Sequence, residues 1–401
     1  MTGRGPGRRG LLTGLAALAT GTATATATAT AASATTTAPA DPPAPTGTPA
    51  RARWTASWAT AQTAPTPADP IASGGVTDLT HRTVVRLSAG GRIRLRYGHA
   101  FGTAAVLVGP VTAGGHTVTF GGLPTAWLAA GATLTSDPVP GPALPAGADL
   151  VIDTHLPGPT GPLSFHRNTH ATHWLLDPTG SAAPVRTSSV LLLRGVDVAG
   201  TAAPAVAVLG DSLAEGVGTP DDSHAGWTEL LARRVPGAAV ANLGVSGNRL
   251  LLDDARFGPG GQARFDRDVL GLPGLRTLVL ALGVNDLQQP PAQTDPARIL
   301  AGYAQLALRA RDAGLHVVGA TITPFEGWQR WTPALEAVRN TVNTALRTRP
   351  LFDALADFDA ALRDPDRPAR LLPAYDSGDG LHPDPAGHAA LAAAVHRPFL
   401  R

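Results

Sequence analysis

From Ala205 onward the chain alternates short, wholly apolar runs with longer amphipathic segments. Ala205-Val206-Ala207-Val208-Leu209, Leu278-Val279-Leu280-Ala281-Leu282 and Val317-Val318-Gly319-Ala320-Thr321-Ile322 are runs of strand length, and Ala239-Val240-Ala241 is a weaker one. Helical segments fall between and after them, at Trp227 to Val235, Pro296 to Ala313, Pro333 to Thr348 and Pro385 to Val395. Two begin with a capping residue before proline, Asp295-Pro296 and Thr332-Pro333. Proline suits the first helical position because its missing N–H has no partner there anyway. Wholly apolar strands alternating with helices predict a parallel sheet covered on both faces. Sites in such sheets lie beyond the carboxyl ends of the strands.

Residues 54–200 read differently. Arg92-Ile93-Arg94-Leu95-Arg96-Tyr97 alternates polar and apolar positions, and Val84 to Ser88 lies just before it across Ala89-Gly90-Gly91. That pattern predicts a hairpin. Further short runs at Thr117–Phe120, Leu150–Ile152 and Val190–Leu193 are punctuated by Gly and Pro, with no long helical period. The expectation is a β-sandwich-like accessory domain over 54–200, followed by an α/β domain over 201–401.

The N-terminus has a third texture. Arg8-Arg9 precedes the apolar run Leu11 to Ala19, which is too short to span a bilayer as a helix. A basic start, a short apolar core and a small-residue region predict a signal peptide over 1–40, with the arginine pair pointing to the twin-arginine route. Residues 41–53 are rich in Pro, Ala and Thr and read as a linker. The mature protein is therefore expected to be secreted, without stable membrane insertion.

Composition narrows the chemistry. The chain has no cysteine, which removes disulfides, thiolate ligands and a cysteine nucleophile. Its formal net charge is +2, and its basic residues are all arginine. So small a charge does not describe a nucleic-acid binder, which presents a clustered basic face.

Four segments follow strands or precede the last helix: Gly210-Asp211-Ser212, Asn242-Leu243-Gly244-Val245-Ser246-Gly247-Asn248, Gly283-Val284-Asn285-Asp286 and Asp379-Gly380-Leu381-His382. The expected fold would gather them on one sheet edge. Together they supply what acyl transfer needs. A serine hydroxyl requires a base, and His382 can be that base for Ser212. Asp379, three residues earlier, can hold the imidazole in the right tautomer. The developing oxyanion needs fixed donors, for which the Ser212 N–H, the Gly244 N–H and the Asn285 amide are suited.

These blocks, in this order, resemble those of the SGNH/GDSL hydrolase family: Gly-Asp-Ser, the glycine of the second block, Gly-x-Asn-Asp and Asp-x-x-His. The resemblance covers about the last half of the chain. It implies a flavodoxin-like three-layer α/β fold and ester hydrolysis without metal or organic cofactor. Carried onto this sequence it makes Ser212 the nucleophile and Asp379 and His382 the rest of the triad. Ser212, Gly244 and Asn285 become the oxyanion hole. The expected activity is a carboxylic ester hydrolase acting on small-molecule or polysaccharide esters through an acyl-enzyme. An acyltransferase on the same scaffold is one alternative, and a surface-binding protein with an idle hydrolase domain is another. The 54–200 domain lies outside the family's core and contributes no catalytic block, so its expected role is to shape access or hold a polymer.

Other residues are read as structural. Asp211 fixes the nucleophile turn, Asp286 anchors its loop, and Asp376 is a rival acid with poorer spacing to His382. Ser246 fails the Gly-x-Ser-x-Gly pattern because position 248 is Asn, a turn former. His155, His166, His170 and His173 lack the spacing of a zinc site. Trp54, Trp58, Trp127 and Trp174 are assigned to core packing in preference to a sugar platform.

Overall fold

The computed structural model describes residues 53–201 and 203–400. The expected signal peptide and, Arg53 apart, the linker lie outside the described residues. No helix among the described residues is long and apolar enough to cross a membrane.

The C-terminal part is a five-stranded parallel sheet. In chain order its strands are Ala205–Gly210, Ala239–Gly244, Leu275–Ala281, His316–Ala320 and Ala354–Ala356. Their spatial order is 2-1-3-4-5, with every neighbouring pair parallel. This is the flavodoxin-like doubly wound arrangement. The helices fall where the amphipathic segments placed them: Trp227–Arg234, Pro296–Asp312, Pro333–Thr348 and Pro385–Ala394. Asp295 caps the second through the Ala297 N–H and Thr332 caps the third through the Leu335 N–H. The fifth strand and a helical segment over 261–270 carried no clear periodic signal, being only three residues long in one case and split by a π turn in the other.

The N-terminal part is built of antiparallel sheets. One has four strands, Trp54–Ala59, Leu193–Ala199, Arg92–Gly98 and Thr133–Thr135 in spatial order. The other has six, with Leu79–Arg86 paired to Asp149–Leu156 and to His173–Leu176. Both sheets feed one core, to which Val85, Leu150 and Ile152 come from the second and Ile93, Leu95, Tyr97 and Val196 from the first. The Tyr97 hydroxyl meets Thr154 Oγ1 across it at 2.8 Å.

The expected hairpin around Ala89-Gly90-Gly91 does not form. Its two strands belong to different sheets, and the Gly91 N–H donates instead to Leu144 O. Alternation reports which face of a strand is buried, not which strand it pairs with. The tryptophans follow the core assignment only in part: Trp58 packs against the sandwich core, whereas Trp127 is 69% exposed. On a strand with one buried face, every second side chain faces outward whatever its type.

The strand Trp54–Ala59 packs against the parallel part as well as within its own sheet. Ala56, Ala59 and Ala61 belong to the parallel-sheet core, while Ala205 and Ala239 belong to the sandwich core. The Ala56 N–H donates to Pro273 O at 3.0 Å, and the Val240 N–H donates to Ser88 Oγ at 2.9 Å.

Candidate active site

Sheet register places the site. Gly210 lies level with Gly244 on one side and with Ala281 on the other. Ser212, Gly247 and Asn285 follow these three positions by two, three and four residues. All three therefore emerge at the same sheet edge, around the point where strand order reverses.

Ser212 opens a one-turn helix, Ser212–Glu215, capped by Asp211, whose carboxylate accepts from the Leu213 N–H at 3.1 Å. Ser212 is buried, and its Oγ lies 2.9 Å from His382 Nε2. On the other side of the ring, Nδ1 lies 2.6 Å from Asp379 Oδ2. Asp379 Oδ1 accepts from the backbone N–H groups of Leu381 and His382. Burial raises the Asp379 pKa, but these hydrogen bonds outweigh it and hold the carboxyl at about 2. The carboxylate thus stays ionised beside a ring that stands nearly perpendicular to Trp328, their centroids 6.1 Å apart. Asp376, the rival acid, accepts instead from the Gly378 and Gly380 N–H groups and shapes the loop.

The proposed oxyanion donors separate. The Gly244 N–H is engaged, donating to Asn242 Oδ1 at 2.9 Å. This corrects the expectation that it serves the oxyanion. Gly244 is needed for a close approach, since a Cβ there would stand 2.4 Å from the Glu215 nitrogen. Three residues on, Val245 O accepts from the Asn248 N–H at 3.0 Å and closes a turn. Gly247 holds the third position of that turn at φ +76°, a conformation that favours glycine. Among the described residues, the N–H groups of Ser212 and Gly247 donate to no hydrogen bond. Sequence reading passed over Gly247; the Gly-Asn pair after Ser246 was its available turn signal.

Asn285 is buried, with its orientation fixed by two glutamines. Gln288 and Gln289 both donate to its Oδ1, at 2.7 and 3.1 Å. Its Nδ2 donates to Asn248 O at 3.1 Å and, at a longer 3.3 Å, to Asp211 Oδ2. Gln289 also donates to Gly247 O at 2.8 Å, so one amide holds both elements.

Buried polar groups brace this edge from below. Asp286 accepts from the Leu250 and Leu251 N–H groups and anchors the neighbouring loop, with burial raising its pKa to about 6. Burial likewise raises Asp211 to about 7. Arg264, 1% exposed, was not singled out in the sequence. It donates to Gly210 O, Leu243 O and Asn248 Oδ1 at 2.8–2.9 Å, tying together the ends of the first two strands. Nothing in sequence spacing marks an arginine as buried.

Among the described residues, the histidines of 155–173 form no group that could hold a metal ion. His155 pairs with Thr80 and Asp78, and His173 accepts from the Val84 N–H. His166 reaches Glu215 and His170 lies near Asp221. A cavity of about 710 Å³ meets the nucleophile helix at Glu215 and Gly216 and is lined also by Trp58, His166 and His170. Ser212, Asp379 and His382 do not line it; they are joined by their own hydrogen bonds beside it.

Residues 208–390 match the model of the GDSL-like Lipase/Acylhydrolase family. The chain thus carries a hydrolase domain of that family, preceded by an additional antiparallel β domain. No curated protein matches the chain. Similar solved structures include a GDSL-like lipase from Bacteroides thetaiotaomicron, 17% identical over 49% of this chain and 87% of that one, with a TM-score of 0.38. A family two carbohydrate esterase from Clostridium thermocellum, in complex with cellohexaose, is 16% identical over 79% and 89%, with a TM-score of 0.38. A carbohydrate acetylesterase from Sinorhizobium meliloti is 17% identical over 48% and 96%, with a TM-score of 0.37.

Proposed function

We propose that the protein is a serine esterase that hydrolyses carboxylic esters through an acyl-enzyme. The observation that carries this reading is the Ser212 Oγ–His382 Nε2 distance of 2.9 Å, with Asp379 bonded to the opposite ring nitrogen. Ser212 Oγ attacks the ester carbonyl while His382 Nε2 takes its proton. Asp379 holds the ring and stabilises the imidazolium. The oxyanion is met by the free N–H groups of Ser212 and Gly247. The Asn285 amide joins them by giving up its longer bond to Asp211. The tetrahedral intermediate collapses, the alcohol leaves with the proton from His382, and Ser212 carries the acyl group. Water then repeats the sequence and releases the acid.

Hydrolysis of p-nitrophenyl acetate, with mass-spectrometric mapping of a fluorophosphonate adduct, tests the reading. Labelling of Ser212 together with loss of turnover is expected; labelling elsewhere with turnover retained overturns it. The alcohol and acyl preferences are open to a screen of acetylated polysaccharides and p-nitrophenyl esters of graded length. Export follows from the Arg8-Arg9 segment and its apolar run. Its test is the N-terminus of the protein recovered from culture medium. Retention in the cell with an intact Met1 overturns it.

A further inference from the structure

We infer that Glu215 is a positioning residue for this chemistry: through Ser246 it sets the peptide that carries the Gly247 N–H, and His166 of the antiparallel part holds it in place. The inference rests on the serine-esterase reading.

Glu215 ends the one-turn helix that Ser212 begins, and its side chain is 3% exposed. A carboxyl group is kept so deep only where partners offset the loss of water. Glu215 has two, from different parts of the chain. The Ser246 hydroxyl donates to Oε2. His166 Nε2 lies 3.3 Å from Oε1. The His166 ring is itself aimed, with Nδ1 2.9 Å from Ala61 O and Nε2 2.9 Å from Asn168 O.

What Glu215 grips is the oxyanion turn. The Gly247 N–H belongs to the Ser246–Gly247 peptide, and the Ser246 hydroxyl fixes the near side of that peptide. On its far side, Gly247 O is fixed by Gln289, the residue that also holds Asn285. The three donors are thereby cross-linked. Ser212 and Glu215 share a helical turn, Glu215 holds Ser246, and Gln289 joins Gly247 to Asn285. Cutting the Glu215–Ser246 link removes the side-chain tether next to the Gly247 N–H and leaves its position to the turn bond between Val245 and Asn248 and to Gln289. An oxyanion donor displaced by a fraction of an ångström acts mainly on the transition state. The same link makes the antiparallel part a support of the catalytic edge, because His166 comes from residues 165–166 of that part.

The test uses the full chain with p-nitrophenyl acetate and four variants: Ser246→Ala, Ser246→Thr, Glu215→Gln and the Ser246→Ala/Glu215→Gln pair. Ser246→Ala and Glu215→Gln are expected to lower kcat about ten- to a hundredfold, with KM within about twofold. Ser246→Thr keeps the hydroxyl and should recover most of the rate. The pair should be no worse than its poorer member, because both changes cut one link. Wild-type kcat in Ser246→Ala overturns the inference, as does Ser246→Thr no better than Ser246→Ala, or losses that multiply. Ser246→Ala removes a single hydroxyl, so the outcome does not depend on Glu215→Gln folding. A parallel Ser212→Ala control separates the two readings. If it is inactive while Ser246→Ala is normal, only the positioning role fails. If it still turns over, the esterase reading fails and this inference with it.

Discussion

His382 Nε2 and Ser212 Oγ, 170 positions apart in the chain, stand 2.9 Å from each other. Neither group does the work alone, so Ser212→Ala and His382→Ala should each remove nearly all esterase activity. Their double variant should be no worse than either. Steady-state rates corrected for folded protein check this. A double variant much poorer than both singles would mean the residues act separately.

Asn285 is held by Gln288 and Gln289 with its Nδ2 turned toward Asp211 and Asn248. Loss of one oxyanion donor costs about a hundred- to a thousandfold in kcat. Asn285→Ala should show that loss with KM little changed, and Asn285→Asp should be at least as poor, since it opposes a negative charge to the oxyanion. If Asn285→Ala instead lowers only thermal stability, the residue is a structural brace.

Arg264 is expected to matter for folding more than for any chemical step. Arg264→Met would leave Asp268 without one buried partner and strip the Gly210 and Leu243 carbonyls of their guanidinium donors. Breaking a buried ion pair by removing one partner costs roughly 3–5 kcal/mol. Urea unfolding of the variant should show a loss of that order. A midpoint within error of wild type would contradict the clamp.

Burial raises Asp211 to about 7 in the folded chain, against an ordinary value of 3.8. Between these values the folded state holds a proton that the unfolded state has released. This group's contribution to stability therefore falls as pH rises from about 4 to about 7, and then stays level. Asp211→Asn removes the ionisation while keeping an oxygen for the Leu213 N–H. The melting temperature of Asp211→Asn relative to wild type should climb across that window and flatten above it. Calorimetry at pH values spaced from about 4 to about 8.5, spanning that window, measures the trend; a pH-independent difference would refute it.

The antiparallel part shares core residues with the parallel-sheet part. A chain beginning at Thr201 lacks Ala56, Ala59 and Ala61 from the parallel-sheet core and leaves the Val240 N–H without Ser88. Such a chain should fail to give a cooperative unfolding transition. A truncated protein that unfolds cooperatively and cleaves p-nitrophenyl acetate would show that these contacts are dispensable.

The parallel-sheet half was legible because its signals are local. A strand buried on both faces must be apolar throughout, as at Ala205–Leu209, and a helix must place capping chemistry where its N–H groups lack partners, as at Asp295 and Thr332. The placement of Ser212, Asp379, His382 and Asn285 at one sheet edge was legible for the same reason, since each belongs to a short block beside a strand or helix. Pairing between distant residues was not legible. Alternation told that one face of Arg92–Gly98 is buried, but its neighbours come from Leu193–Ala199 and Thr133–Thr135, which no local rule selects. The choice between Gly244 and Gly247 turned on which N–H another group already occupies, and only the folded Asn242 side chain decided it. Arg264, Glu215 and His166 show the same limit. A charged or polar residue reads as surface in a sequence, and becomes interior only when partners far along the chain converge to replace its water.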